Sequence, residues 1–412
     1  MPELRPFKGI RYSDAPSMGE LVCPPYDVIS PEEQERLHDR HPANAVRLEL
    51  ARADDASGAK YSNVFETFRG WLSHGTLDED ATESFYVYRQ DFVDGSGDRR
   101  RVAGVLGALE LEAFGSSSGV LPHERTMPGP KEDRLALMRA CPVNISPIYA
   151  IYRGDGGLRP FLDSLEHRPT AARFAGDGRI LHRLWTITAP AELEMVADAL
   201  RPGPLVIADG HHRYETALAF QAEQDGPGGH DSMMCFCVDA DSEELVVLPY
   251  NRAVKTNRSQ EEVAAALEAR FNAQDLPPND VDVETELGAS GADHPFVAVL
   301  EERAFLVEVS DEQLVERVGQ RHEAWRSLDV VALHEALFPE VFGEDASELM
   351  FSKDPAHIVG SVRSGAFDVG FLLRAMAAAD VVDVASSGER MPQKASYFWP
   401  KAVTGLVFRS LR

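Results

Sequence analysis

Pro204-Leu-Val-Ile-Ala-Asp-Gly-His-His-Arg-Tyr-Glu-Thr-Ala-Leu-Ala-Phe220 carries a change of period around which the chain is organised. Leu205, Val206 and Ile207 form a short apolar run, the pattern of a buried strand. Asp209-Gly210 breaks that run, and from Tyr214 the spacing of Ala217, Leu218 and Phe220 is helical. His211, His212 and Arg213 therefore fall in the turn between a strand and a helix. A helix start presents unpaired N–H groups and the positive end of a dipole, so anions settle there. Gly210 permits close backbone approach, and Arg213 can hold a phosphate with two parallel hydrogen bonds. The plainer alternative is a helix capped by Asp209, with two surface histidines and a solvated arginine. The density of polar groups in one tight turn favours the phosphate site.

Composition limits what such a site can serve. The chain has 412 residues and 44% hydrophobic content, enough for a substantial core in two or three domains. Its 41 Lys and Arg against 67 Asp and Glu give a net charge of −26, which repels nucleic acid and anionic membrane. A nucleotide would be repelled too, so a phosphate site has to be a local basic island. Four scattered cysteines make no disulfide framework, and Cys235 and Cys237 share one strand face as buried thiols. The start, Met-Pro-Glu-Leu-Arg-Pro, lacks the pattern of a signal peptide, and no apolar run reaches the ~18 residues of a membrane span. These features predict a reduced, cytoplasmic protein with neither nucleic-acid nor membrane partners; a homodimer stays open.

Other elements follow from local signals. Ser30 caps a helix with Pro31 in its first position and Glu33 as capping-box partner. Phe85–Tyr88 and Arg101–Leu111 read as strands around the turn-forming Asp94-Gly-Ser-Gly-Asp98, an antiparallel hairpin. Lys131–Arg139 reads as a short helix with Leu135 and Met138 inward, and Ser259 caps a helix through Phe271. Gln274–Pro295, acidic and rich in Gly and Pro, reads as a linker or long surface loop; Phe296–Leu300 and Ala304–Val309 form a second hairpin. The expected class is α+β, with mixed, largely antiparallel sheets and flanking helices. The expected regions are an N-terminal α/β region 1–115, a core 116–272 and a C-terminal α/β region 273–412.

Three polar clusters stand outside periodic surface: Asp209 with His211, His212 and Arg213; His123-Glu124-Arg125-Thr126 with Lys131, Asp133 and Arg134; and Glu389, Arg390, Lys394 and Lys401 among Tyr397, Phe398 and Trp399. Each has an ordinary alternative as solvated surface, and Tyr397 and Phe398 lean toward core anchors. Phosphoryl transfer needs cations on the phosphates, a carboxylate at the acceptor hydroxyl and usually Mg²⁺. Arg213 and the histidines supply the first, Glu124 the second, and Asp209 is placed to help hold Mg²⁺ through water. No Walker, dinucleotide-binding, zinc-protease or hydrolase-elbow motif is present.

Pro24-Pro-Tyr-Asp-Val28, Leu121-Pro-His-Glu-Arg-Thr126, Gly129-Pro-Lys-Glu-Asp-Arg134, Ala208–Ala217 and Gly388-Glu-Arg-Met-Pro-Gln-Lys394 resemble the domain of unknown function (DUF) 1015 family, nearly end to end. Pro249-Tyr-Asn-Arg252 departs from that family's more usual Pro-Thr-His-Arg, so Tyr250 and Asn251 receive no role. Asp209-Gly-His-His-Arg213 is also similar to the phosphate-binding turn of the ParB/sulfiredoxin superfamily, which includes free-serine kinases. That resemblance implies a ParB/sulfiredoxin-like phosphate-binding core. It makes Glu124 the base, with Gly210, His211, His212 and Arg213 around the phosphates; the stretch from Glu124 to Asp209 is longer than in a minimal domain of that kind.

The sequence thus predicts a nucleotide-dependent phosphotransferase acting on a small hydroxyl metabolite, free L-serine foremost, with ATP or ADP as donor. Catalytic candidates are Glu124, His211 and Arg213; nucleotide contacts are Asp209, Gly210, His211, His212, Arg213, His123, Arg125, Lys131, Lys394 and Lys401. The alternatives are a non-catalytic nucleotide-binding switch or partner-binding protein, and a phosphate-ester hydrolase.

Overall fold

Asp94 closes the first hairpin as its chemistry requires. Its Oδ1 accepts from the amides of Ser96 and Asp98 at 3.1 and 2.9 Å, an Asx turn that reverses the chain. The computed structural model describes residues 3–52, 60–115, 118–124, 126, 128–154, 156–201, 203–242, 244–277 and 283–412. They fall into two compact units, each assembled from separated stretches. The first comprises Met1–Pro122, Thr126–Leu245 and Pro400–Arg412; the second comprises His123–Arg125 and Val246–Trp399. Strand pairing, not chain order, decides which segments share a core.

The first unit is built on a nine-stranded sheet. Its strands are β1 (Leu4–Arg5), β2 (Phe85–Val93), β3 (Arg99–Glu110), β4 (Val120–Pro122), β5 (Ile148–Tyr152), β6 (Ala172–Ala175), β7 (Leu181–Ile187), β8 (Leu205–Asp209) and β9 (Ser232–Asp239). Their order is β4-β8-β5-β9-β3-β2-β7-β6, with β1 also on β3. Only β4 with β8 and β5 with β9 run parallel. The sheet is thus mixed and largely antiparallel, as the sequence predicts. Alternate residues Val87, Val105, Ile148, Ile207 and Cys235 enter one core, and the Cys235 and Cys237 thiols sit on the same strand face with Sγ atoms 3.5 Å apart.

Helices α1 (Pro31–Arg40), α2 (Val64–Ser73), α3 (Pro128–Ala140), α4 (Pro190–Leu200) and α5 (His211–Gln221) flank this sheet. Ser30 caps α1 by accepting from the Glu33 amide at 3.2 Å. The face of α3 departs from expectation. Leu135 is only half-buried, whereas Arg134 and Leu137 are buried. An arginine tolerates that position because its donors are met: Nη1 donates to the Glu49 carbonyl at 2.9 Å, Nη2 to Tyr61 Oη at 2.6 Å, and the guanidinium stacks 4.2 Å from the Tyr26 ring centre.

The second unit carries a six-stranded antiparallel sheet of β10 (Asn251–Thr256), β11 (Asn272–Leu276), β12 (His294–Val299), β13 (Ala304–Val309), β14 (Ala346–Ser352) and β15 (Val369–Leu372), in the order β11-β13-β12-β15-β10-β14. Helix α6 (Gln260–Arg270) starts on a full capping box between Ser259 and Glu262. The expected linker is corrected here. Gln274–Leu276 belongs to β11, and Val283–Ala289 is helix α7. Leu287 is 2% exposed in the sheet's core, with Leu276 and Val283 packed beside it. Three apolar anchors outweigh the acidic composition around them. Among the described residues no helix is long and apolar enough to cross a membrane.

Candidate functional site

Strand β8 reaches its last residue through an irregular register step against β5 between Ile207 and Asp209, and α5 begins two residues later. Gly210 joins them with φ +92°, the left-handed region that costs glycine nothing. Gly210, as the residue before the first turn of α5, has no side chain with which to cap it, so the turn starts from backbone and dipole.

The polar groups of this turn are ordered by Asp209, which is 9% exposed. Arg213 Nη2 donates to Asp209 Oδ2 at 2.6 Å, and Lys401 Nζ donates to Oδ1. Burial alone would raise the Asp209 carboxyl; Lys401 and Arg213 outweigh it and hold the group far below the usual carboxylate range, with His211 adding to the pull. Arg213 also donates Nη1 to the Pro147 carbonyl, and its Nε is buried without a partner. The double hydrogen bond expected from Arg213 to a phosphate is thus spent on Asp209 and Pro147. The close approach over Gly210 is likewise made by Arg213: a Cβ at Gly210 would lie 3.0 Å from Arg213 Nε and 2.9 Å from Ile148 Cγ2.

The remaining first-unit candidates lie around the same helix. His211 is buried and His212 half-buried. Lys131, on α3, donates to Glu215 Oε2 at 2.7 Å, and Thr126 Oγ1 donates to the same oxygen at 2.8 Å. Burial pushes Glu215 up, but these bonds and the nearby His212 hold it lower overall. Lys401 reaches Asp209 from the C-terminal segment, anchored by Gln90 Nε2 donating to its carbonyl at 3.0 Å.

His123, Glu124 and Lys394 belong to the second unit. His123 is buried; its Nε2 lies 3.1 Å from Ser396 Oγ, and its carbonyl accepts from the Met391 amide at 2.8 Å. Glu124 is half-buried next to it. Lys394 is exposed at φ +55°, unusual for a residue with a Cβ. Arg125 lies outside the described residues.

The residues do not fit the Mg²⁺ role expected of Asp209. Both its oxygens bind cations, which makes it their counter-anion, and among the described residues no group of three His, Cys, Asp or Glu is placed to hold a metal ion. Sequence reading missed Glu215 and Arg252. Glu215 carried a signal, one turn beyond His211 on the helix that Lys131 faces; Arg252 ended the Pro249-Tyr-Asn-Arg252 stretch, where only the departures at Tyr250 and Asn251 were weighed.

Comparison with known proteins gives a family and distant folds. The family model described as "Protein of unknown function (DUF1015)" matches residues 4–331. No curated protein matches the chain. Among solved structures, it is similar to a conserved hypothetical protein from Pyrococcus furiosus at 14% identity, covering 68% of this chain and 87% of that one, TM-score 0.35. A free serine kinase in complex with AMP is 16% identical over 68% of this chain and 83% of that one, TM-score 0.36. SbnI with a C-terminal truncation, from Staphylococcus aureus, is 10% identical over 73% and 85%, TM-score 0.38.

Proposed function

We propose that this chain, which belongs to the DUF1015 family of proteins of unknown function, binds a nucleotide phosphate at the start of α5 and transfers a phosphoryl group to a small hydroxyl compound, free L-serine foremost. One observation carries the reading: a helix start behind a left-handed glycine, flanked by Arg213 and Lys401, both bound to Asp209. Arg213 and Lys401 bring two cations to the turn in a chain of net charge −26, with Asp27 and Glu49 as well as Asp209 acting on Arg213. The first-turn amides of α5 and Lys401 meet the phosphate, with His211, His212 and Lys131 around it. Arg213 acts as a positioning residue, fixing Asp209 and through it Lys401.

Glu124 is the base on the strength of the sequence resemblance, with His123 and Arg125 as further nucleotide contacts. The acceptor oxygen bonds to phosphorus as the bond to the departing nucleotide breaks, and the hydroxyl proton passes to Glu124. ATP or ADP is the donor; no step is assigned to Mg²⁺.

Phosphorus NMR of the purified chain with ATP or ADP and L-serine tests this. A phosphate monoester of serine forms, and Lys401→Ala and Glu124→Gln each lower its rate at least about a hundredfold. A second reading, a non-catalytic nucleotide binder, is favoured by the engagement of both Asp209 oxygens with cations. Saturable nucleotide binding with no product selects it, and inorganic phosphate released without acceptor marks a hydrolase instead.

A further inference from the structure

Arg252 is the most conspicuous charge in the second unit. It sits in β10, the strand between β14 and β15, and is 0% exposed. Its Nε donates to His334 Nε2 at 3.2 Å, Nη1 to the Tyr250 carbonyl and Nη2 to the Lys394 carbonyl at 2.9 Å. The guanidinium lies 5.5 Å from the Phe351 ring centre. None of these partners is an anion. Burial pulls the group down to about 9, with no carboxylate opposing it. His334 gives no countercharge: it accepts from Arg252, and burial with that neighbour pulls it down to about 3, so it is neutral at ordinary pH. His334 is presented by Leu333–Leu337, a π-helical turn of the sort that recurs at functional positions.

A buried cation without an anion is costly. The groups that Arg252 fixes continue the same sign toward the surface. Lys394, held by its carbonyl in the left-handed region, places Nζ 5.3 Å from the Tyr250 ring centre and forms no ion pair among the described residues. Tyr250 meets Tyr397 edge to face at 5.6 Å. Lys353 lies over Tyr397, Nζ 4.5 Å from the ring centre and 3.4 Å from the hydroxyl. Lys394, Tyr250, Tyr397 and Lys353 thus form a continuous row of two ammonium groups and two phenols, joined to the Arg252 guanidinium through the Tyr250 and Lys394 carbonyls.

We propose that this row, backed by Arg252, is a binding site for a phosphate group, inorganic or esterified, in the second unit. The anion accepts from Lys394, Lys353 and the phenol hydroxyls and supplies the countercharge that Arg252 lacks; Arg252 is the positioning residue that sets the Lys394 backbone. This inference does not depend on the α5 turn.

The test is a titration of the full chain, labelled with 3-fluorotyrosine, with inorganic phosphate; Tyr250→Phe and Tyr397→Phe assign the two signals. Both signals shift saturably with phosphate and not with chloride. The Lys394→Gln variant, a surface change that leaves the melting temperature unmoved, needs about tenfold more phosphate, the usual loss for one charge-assisted contact. Arg252→Met, where it folds, abolishes the shift. Signals that ignore phosphate, follow chloride equally or respond identically in Lys394→Gln overturn the proposal. Neither tyrosine reports on Gly210, so failure at the α5 turn leaves this result intact.

Discussion

Arg213 Nη2 meets Asp209 Oδ2, four residues back along the chain, at 2.6 Å, and the side chain that spans the distance passes 3.0 Å from where a Cβ on Gly210 would stand. Strand end, glycine and helix start are therefore one polar unit. The conformation of the turn and the charge state of Asp209 depend on each other.

Gly210→Ala strains this unit twice, through φ +92° and through contacts of 3.0 Å to Arg213 Nε and 2.9 Å to Ile148. The expected loss is about 2 kcal/mol, from positive-φ strain plus displacement of a packed neighbour. Urea unfolding checks it: the midpoint falls while the slope stays unchanged. A variant as stable as the native chain would mean that Arg213 does not lie over the turn.

Asp209→Asn leaves two cations facing a neutral amide, one of them buried. Breaking a buried pair from one side typically costs about 3 kcal/mol or more. The pH dependence has a definite sign. The folded carboxyl titrates below its unfolded counterpart, near 3.9 in a free chain, so its contribution is complete above about pH 4 and declines as pH falls further. Urea midpoints between pH 5 and pH 2.5 should drop less steeply in Asp209→Asn than in the native chain. Parallel profiles would contradict the assignment.

Leu287→Ala tests the helix found where a linker is expected. A leucine 2% exposed in a packed core loses about 3 kcal/mol on truncation, whereas one in a surface loop loses almost nothing. Thermal or urea unfolding separates these outcomes.

Much of the fold was legible because its signals are local. Ser30 with Pro31, Ser259 with Glu262, and Asp94 with its turn each act within a few residues, and each does in the structure what its chemistry predicts. The β8–α5 junction was legible for the same reason. What escaped reading was set by distance along the chain. Lys401 was a candidate, yet its bond to an aspartate 192 residues away has no sequence signature. Arg252 looks like one more strand residue until His334 and Lys394 are brought to it. Acidic composition concealed α7, because Leu276, Val283 and Leu287 are spaced too widely to form an apolar run. The two units were hidden similarly, each gathering short pieces from beyond its main segment.

Whether the start of α5 receives a nucleotide phosphate is measured most directly at its own amides. Protein labelled with ¹⁵N-histidine, titrated with ATP, reports on His211 and His212 in the first turn. The account predicts that both amide signals shift saturably, and that Lys401→Ala requires about tenfold more nucleotide for the same shift. Nucleotide that saturates the protein without moving these amides, or that fails to bind at all, would contradict it.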